Sequence, residues 1–382
     1  MQCSEHYDEM QTFYFKKGLY MKYIFFLMVL IHGLIHILGF LKSLGYAIPQ
    51  LPPINKITGI VWLVASIAMV ATAFMYITDN TVWLMTGTIA ILVSQVLIIL
   101  SWQEAKFGTL PNIIILIAIV IGCAMWFFDH QVEKEIQAIL AQEAAYSAQP
   151  EKIIITENMI THCPAPVQRW LRYSGVVGKE MARTVYITQK GEMRLNPGQS
   201  KWFTSYSQQY FTVSIPAFIW KVNMDLYSLP VIGRDMFANG KGEMKITLLG
   251  LIPIAVAGNN VKIHQSALQR FLGEISWFPQ AALKPYIHWE AIDDSRAKAT
   301  IEYMGVKGSA VFHFNTKGEL VKFVAMRYKD INDEKPTEWI AAVKRYGQFQ
   351  GIKIPTTLDA TWMLDEGPFT WYRFEIIDVR YQ

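Results

Sequence analysis

Four long stretches without a charged residue occupy the first third of the chain. They are Tyr23–Leu41, Ile57–Thr78, Asn80–Gln103 and Phe107–Phe128, and each is 19 to 24 residues long. A helix needs about 20 residues to cross roughly 30 Å of hydrocarbon. Core helices of soluble proteins are rarely apolar over such a length. The sequence therefore predicts a domain of four transmembrane helices in residues 21–130.

The distribution of arginine divides the chain in two. Residues 1–150 contain no arginine, whereas residues 151–382 contain 28 Lys and Arg against 22 acidic residues. This composition indicates a membrane part followed by a water-soluble part. The basic excess of the second part is too small and too dispersed to indicate nucleic-acid binding. We expect membrane lipid, or a protein of the cell envelope, as the partner.

The first apolar stretch lacks a small-residue cleavage site, and three further spans follow it. This argues against a cleaved signal peptide and favours a retained helix. Met21 directly precedes the span and resembles a start site, which leaves open whether residues 1–20, an N-terminal extension, are translated.

The orientation in the membrane depends on where the lysines lie, because lysines near spans favour the cytoplasm. Counted from Met21, they divide two against three, with Lys22 and Lys134 on one side and Lys42, Lys56 and Lys106 on the other. This count places the soluble domain outside the cytoplasm. If residues 1–20 are included, the division is four against three and decides nothing.

Two histidines lie within the first span. His32 and His36 are four residues apart and share one face of the helix. Ionisable residues at membrane depth are candidates for a functional role, here a metal or haem site. The other spans contain no histidine or carboxylate to complete such a site. We therefore expect neutral imidazoles bonded to Ser66, Thr72, Ser94 or Gln95, and predict no metal and no cofactor.

Residues 131–163 are predicted to be a juxtamembrane helix and a linker. Apolar residues recur about every fourth position in Gln131–Ala148, which is typical of an amphipathic helix, and Gln149-Pro150 ends it. A short helix follows at Val167–Tyr173, with Gly175 as its C-cap.

Residues 164–382 are predicted to form an antiparallel β-rich domain of about eleven strands. From about Ala182 the apolar pattern alternates with period two, and glycine-containing turn signals recur along the chain. These signals include Lys190-Gly191, Asn239-Gly240 and Lys307-Gly308. One helix, roughly Gln265–Ile275, interrupts the strands and carries Arg270 and Glu274 as a surface pair.

Two predicted strands, Leu320–Tyr328 and Trp371–Tyr381, are apolar on both faces. An exposed sheet would alternate more cleanly, so both faces are covered or one face lines a cavity. We predict an α+β fold in which a curved antiparallel half-barrel follows the transmembrane helices, with the helix across an apolar pocket. The candidate ligand-binding residues are aromatic: Trp202, Tyr210, Trp220, Phe237, Phe271, Trp277 and Trp289.

The sequence contains little that indicates catalysis. It has no G-x-S-x-G, H-E-x-x-H, phosphate-loop or dinucleotide motif, and we assign no catalytic residue. The only candidates for a polar cluster are Arg234, Asp235, Glu290 and Arg373.

Several stretches resemble a bacterial family that is catalogued as a domain of unknown function. They are Pro164–Tyr173, Gly233–Asp235, Gly240–Met244, Leu249–Pro253, Arg270–Glu274, Trp277–Pro279, Trp289–Ala291 and Phe312–Phe314. The segment His32–Phe40 is similar to the membrane leader of multi-span members. The resemblance covers about residues 160–382 and implies no activity. The order of strands and helix also resembles the lipoprotein-carrier half-barrels of bacterial envelopes, which hold acyl chains; this is a likeness of fold only.

Three hypotheses about function follow. The leading one is a membrane-tethered envelope protein whose β domain binds a lipid or another hydrophobic ligand. The second is a protein-interaction or sensor module with a filled core. The third is an enzyme of unknown reaction.

Overall fold

The computed structural model describes residues 20–48, 53–146 and 152–382. The chain divides into two compact units, Met1–Phe127 and Phe128–Gln382. The predicted helix end at Gln149-Pro150, and all of the N-terminal extension before Tyr20, lie outside the described residues.

Four helices in the described part of the chain are long and apolar enough to cross a membrane. They are α1 (Tyr20–Ser43), α2 (Lys56–Ile77), α3 (Trp83–Leu100) and α4 (Thr109–Tyr146). The four predicted spans are confirmed as helices. The residues of the predicted juxtamembrane helix are helical as far as Tyr146 and continue α4 without a break, because no proline or glycine lies between Phe128 and Tyr146 to end the helix.

The second unit contains thirteen strands. They are β1 (Thr184–Met193), β2 (Phe203–Thr212), β3 (Ala217–Leu226), β4 (Leu229–Ala238), β5 (Lys241–Leu248), β6 (Ile252–Ala257), β7 (Ile287–Asp293), β8 (Arg296–Tyr303), β9 (Val306–Phe314), β10 (Leu320–Arg327), β11 (Thr337–Phe349), β12 (Ile352–Leu364) and β13 (Gly367–Tyr381).

All thirteen strands form one antiparallel sheet in the order β6-β5-β4-β3-β2-β1-β13-β12-β11-β10-β9-β8-β7. The first strand in the chain, β1, and the last, β13, pair with each other at the centre of the sheet. The two edges, β6 and β7, are consecutive in sequence. The segment between them must therefore cross from one edge of the sheet to the other.

The sequence predicts some turns correctly and others wrongly. Asn239 and Gly240 form the β4–β5 turn with φ of 51° and 72°. Lys190-Gly191 and Lys307-Gly308 lie inside β1 and β9 instead. The β3–β4 turn is made by Tyr227-Ser228, which carries no glycine signal. Missed turns of this kind explain why about eleven strands were predicted rather than thirteen.

Two helices accompany the sheet. Helix α5 (Ala165–Ser174) ends at Gly175 in the left-handed region with φ of 73°, as predicted. Helix α6 (Val261–Glu274) begins earlier than predicted, because the side chain of Asn260 accepts a hydrogen bond from the Lys262 amide and caps its first turn.

Helix α6 contacts strands from both halves of the sheet, including β4 and β5 on one side and β8, β9 and β10 on the other. A Cβ at Gly242 of β5 would lie 2.5 Å from the Cβ of Ala267, and one at Gly308 of β9 would lie 2.5 Å from the Cγ of Gln269. Glycine therefore allows close approach on both sides of the helix.

The end of α4 packs against the β domain through its acidic residues. Asp129 pairs with Lys221 at 2.8 Å, and Glu135 pairs with Arg234 at 3.0 Å. The carboxylate of Glu143 is buried and accepts hydrogen bonds from the amides of Ser214 and Ile215. These contacts fix the last turns of α4 on strands β3 and β4 and on the turn that precedes β3.

The contact between α6 and β5 yields a stability prediction. Replacing Gly242 by Ala should lower the free energy of unfolding by about 1–3 kcal/mol, because the added methyl group overlaps Ala267 and the backbone of Ile263. Thermal unfolding of the full chain, followed by tryptophan fluorescence, measures this change. The matched control is Gly258→Ala, whose Cβ meets only the flexible side chain of Glu243 at 3.2 Å. Equal melting temperatures for the two variants would contradict the prediction.

Candidate ligand-binding cavity

A cavity of about 280 Å³ lies between α6 and the sheet. Most of its wall is apolar, and polar side chains are grouped around α6 and the end of β10. Its aromatic residues are Trp220, Trp277, Phe323, Tyr328, Trp339, Trp362, Trp371, Tyr372 and Phe374. Its aliphatic residues are Met244, Ala257, Ile263, Ala267, Leu320, Ala341, Leu358 and Ala360. The remainder are Gln189, Asp235, Ser266, Arg270, Gly273, Glu274, Ser276, Arg327 and Lys329.

The space arises from small residues between large ones on adjacent strands. Ala341 of β11 lies opposite Ala360 of β12. Two residues away along each strand, Trp339 lies opposite Trp362. Because side chains alternate along a strand, these four residues share the face that looks into the cavity. Two methyl groups thus occupy positions where larger side chains would fill the cavity.

One buried ionic group lies in the wall beside α6. Arg270 donates to Asp235 at 2.6 Å and to Glu274 at 2.8 Å, and Gln209 donates to Glu274 at 2.7 Å. The three charged side chains are only 11 to 19% exposed. Burial alone would lower the pKa of Arg270, but Glu274 and Asp235 outweigh it and hold this pKa above its ordinary value. The prediction of a surface pair is therefore wrong, since Arg270 and Glu274 face the cavity.

A second guanidinium, that of Arg327, lies at the end of β10. It stacks over the ring of Trp339, with 4.7 Å from its central carbon to the ring centre, and its Nη2 donates to the carbonyl of Ser266 at 3.0 Å. Burial lowers the pKa of Arg327 to about 10. The group is therefore still protonated at neutral pH.

Two of the seven predicted ligand-binding residues, Trp220 and Trp277, line the cavity. Phe237 and Phe271 are fully buried in the hydrophobic core. The remaining three are placed elsewhere by their neighbours: Trp289 packs on Trp170 and Phe312, Trp202 lies under Arg194 and Arg373, and Tyr210 packs on Tyr186.

Residues of β10 to β13 supply much of the wall and were not among the candidates. A signal was present, because Leu320–Tyr328 and Trp371–Tyr381 are unusually apolar. One face of β10 is not covered, however. Val321 and Met326 are 45% and 50% exposed. A register shift between Leu320 and Lys322 brings Leu320 and Phe323 together in the cavity wall.

The predicted polar cluster is not brought together by the fold. Arg234 and Asp235 are consecutive on β4 and therefore point to opposite faces, towards Glu135 and Arg270 respectively. Glu290 lies near Lys298, and Arg373 near Asp359. This arrangement gives no support to the enzyme hypothesis, which depends on their clustering.

The two histidines of α1 take part in a hydrogen-bond network with α3 and α4. His36 donates from Nδ1 to the carbonyl of His32, so its Nε2 is free to accept from the hydroxyl of Ser94, at 2.8 Å. His32 lies 3.0 Å from Oδ1 of Asn112, whose Nδ2 donates to Ser94. Ser94 is one of the four predicted partners, whereas Asn112 was missed. Within the described residues, no group of three or more His, Cys, Asp or Glu side chains could hold a metal ion.

The chain belongs to a family of unknown function, DUF6544, whose match covers residues 153–374. This span contains every residue that lines the cavity. None of the curated proteins matches the chain.

The ionic group beside α6 can be tested by removing its cation. In Arg270→Gln, the carboxylates of Asp235 and Glu274 lose their partner, and such a loss costs about 3–5 kcal/mol when the pair is buried. Burial without a cation raises a carboxyl pKa, so the folded variant should keep protons that the unfolded chain releases above about pH 4. Its stability should therefore fall further as the pH rises above that value.

Thermal unfolding of the full chain at several pH values measures this effect. The control is Arg345→Gln, because Arg345 pairs with Glu375 at 2.9 Å on the surface, where an ion pair contributes only about 0–1 kcal/mol. A loss of stability no larger than in the control, or one that shrinks with rising pH, would contradict the assignment.

Proposed function

We propose that this chain is a membrane-tethered protein whose β domain binds a lipid or another hydrophobic ligand in the cavity beside α6. The observation that supports this function is the wall itself, in which nine aromatic and eight aliphatic residues line one concave space. Binding sites for small molecules are typically concave and mostly apolar, with a few polar groups that orient the ligand.

We further propose that the sheet is a half-barrel with α6 across its mouth. The contacts of α6 with both halves of the sheet support this description. In such an arrangement the helix excludes water from the inner face of the sheet, and the ligand lies between them. The cavity volume of about 280 Å³ lies just below the usual range of small-molecule sites, roughly 300–1,000 Å³. This size favours one apolar chain, or one compact ring system, over a two-chain lipid held entirely inside.

The helical unit is proposed to be a multi-pass anchor in the membrane of a bacterial cell envelope. Four sufficiently long and apolar helices support the anchor. The lysine count from Met21 favours an extracytoplasmic β domain. Covalent attachment to a membrane segment raises the concentration of the binding domain where membrane lipids are found.

Filling the cavity should abolish ligand binding. Ala341→Phe places a ring in the space between Phe323 and Ala360, the residues opposite Ala341 on its two neighbouring strands. The full chain, held in phospholipid nanodiscs, would be photolabelled with a long-chain alcohol that carries a diazirine group. Mapping of the labelled peptides separates the cavity from the membrane helices. We expect labelling of β10 to β13 to fall at least about tenfold in the variant, because the ring excludes the chain.

Ala342→Phe is the matched control. Ala342 lies opposite Lys322 and Asp359 on the other face of the same strands, so its ring should leave the cavity unchanged. If the wild-type cavity is not labelled, or if the two phenylalanine variants are labelled equally, the proposed function is wrong.

One feature favours the second hypothesis, a module that docks a protein. The edge strand β6 exposes Ile252, Ile254 and Val256, and an unpaired strand edge can pair with a strand of another chain. Ligand binding remains the leading proposal, because the protein-docking hypothesis required a filled core and the β domain contains a cavity.

A further inference from the structure

The two arginines that line the cavity differ in how their charges are balanced. Both carboxylates of the wall, Asp235 and Glu274, are bonded to Arg270. Arg327 forms no ion pair with a carboxylate anywhere in the described parts of the chain. Among the described residues, the guanidinium of Arg327 makes one hydrogen bond, from Nη2 to the carbonyl of Ser266. Arg270 is thus bonded to two carboxylates, whereas Arg327 is bonded to none and is attracted by Asp235 and Glu274 only at longer range.

The surroundings of Arg327 leave its charge poorly solvated. The rings of Trp339 and Trp362 lie 4.7 and 5.8 Å from its central carbon, and its Nε is buried without a hydrogen-bond partner among the described residues. A cation held between aromatic rings gains some attraction from their faces. The carbonyl of Ser266 is the one oxygen acceptor that the described residues give this guanidinium, and neither ring supplies another.

The position of Arg327 suits the polar end of an amphipathic ligand. It is the last residue of β10 and is followed by Tyr328 and Lys329, which also line the cavity, and Lys329 is exposed to solvent. The aliphatic and aromatic residues further along β10 and β12, among them Phe323 and Leu358, are buried. The cavity thus has a cationic, accessible end and an apolar, covered end.

We propose that the ligand is an amphipathic anion, a single apolar chain that ends in a carboxylate or a phosphate, and that Arg327 binds this oxyanion. The proposal rests on the proposed function, since it assigns the ligand class of the same cavity. The planar guanidinium can donate two parallel hydrogen bonds to either group, which makes arginine suited to both. The ring of Trp339 holds the guanidinium in place, and the chain lies along the apolar wall.

A pair of diazirine probes that differ only in their head group tests the proposal. One is a long-chain fatty acid and the other is the alcohol of the same length, each titrated onto the full chain in nanodiscs of neutral phospholipid at about pH 8. At this pH the acid is ionised and Arg327 remains charged, because its pKa is about 10. We expect the wild-type cavity to label with the acid at a concentration roughly tenfold or more below that of the alcohol, since charged hydrogen bonds are the stronger ones.

Arg327→Gln should abolish this preference, so that the acid and the alcohol label its cavity at similar concentrations. Arg327→Lys, which keeps the charge without the planar fork, should retain part of the preference and guards against a folding defect of the first variant. Arg345→Gln, on the surface, should behave as wild type. Competition with lysophosphatidic acid then distinguishes the two head groups: displacement of the acid probe assigns phosphate, and failure to displace it assigns carboxylate.

Three results would overturn the proposal. If the cavity labels with the alcohol but shows no preference for the acid, or if Arg327→Gln keeps the preference, the ligand class is wrong and the proposed function stands. If neither probe labels the cavity, both are wrong.

Discussion

The structure of the β domain depends on one contact, the packing of α6 against both halves of a single sheet. The chain reaches one edge of the sheet at β6 and resumes at the other edge with β7, and α6 lies between them. Close approach on both sides requires Gly242 and Gly308. The helix therefore joins the two halves of the sheet, and the cavity, with its aromatic wall and its charged groups, lies between the helix and the strands.

Strand β4 bonds to α6 on one side and to the last turns of α4 on the other. Its consecutive residues Arg234 and Asp235 point to opposite sides, one to Glu135 at the end of α4 and the other to Arg270 of α6. Because side chains alternate along a β-strand, two adjacent residues contact different helices: Asp235 bonds to α6 and Arg234 bonds to α4. Both ion pairs are largely buried, so removing either charged residue of a pair would leave the other charge buried without a counter-charge.

Much of the fold could be predicted from the sequence, because local signals determine it. Length and the absence of charge define the four long apolar helices, and period-two alternation defines the sheet. Turns without glycine, such as Tyr227-Ser228, were missed because their positive φ values are imposed by strand pairing. The candidate site was predicted less well. Aromatic residues fill both core and cavity, and only the sheet register, which puts Ala341 opposite Ala360, shows where space remains. Burial of Arg270 and Arg327 likewise depends on contacts between distant residues.

The central claim, that the cavity beside α6 holds a hydrophobic ligand, is tested most directly by the mass of the purified full chain. Its mass under native conditions would be compared with its mass after denaturation, in the wild type and in Ala341→Phe. We expect the native mass of the wild type to exceed its denatured mass by a discrete amount, and we expect no such excess in the variant. A native mass equal to the denatured mass after incubation with membrane lipids, or an excess that persists in Ala341→Phe, would contradict it.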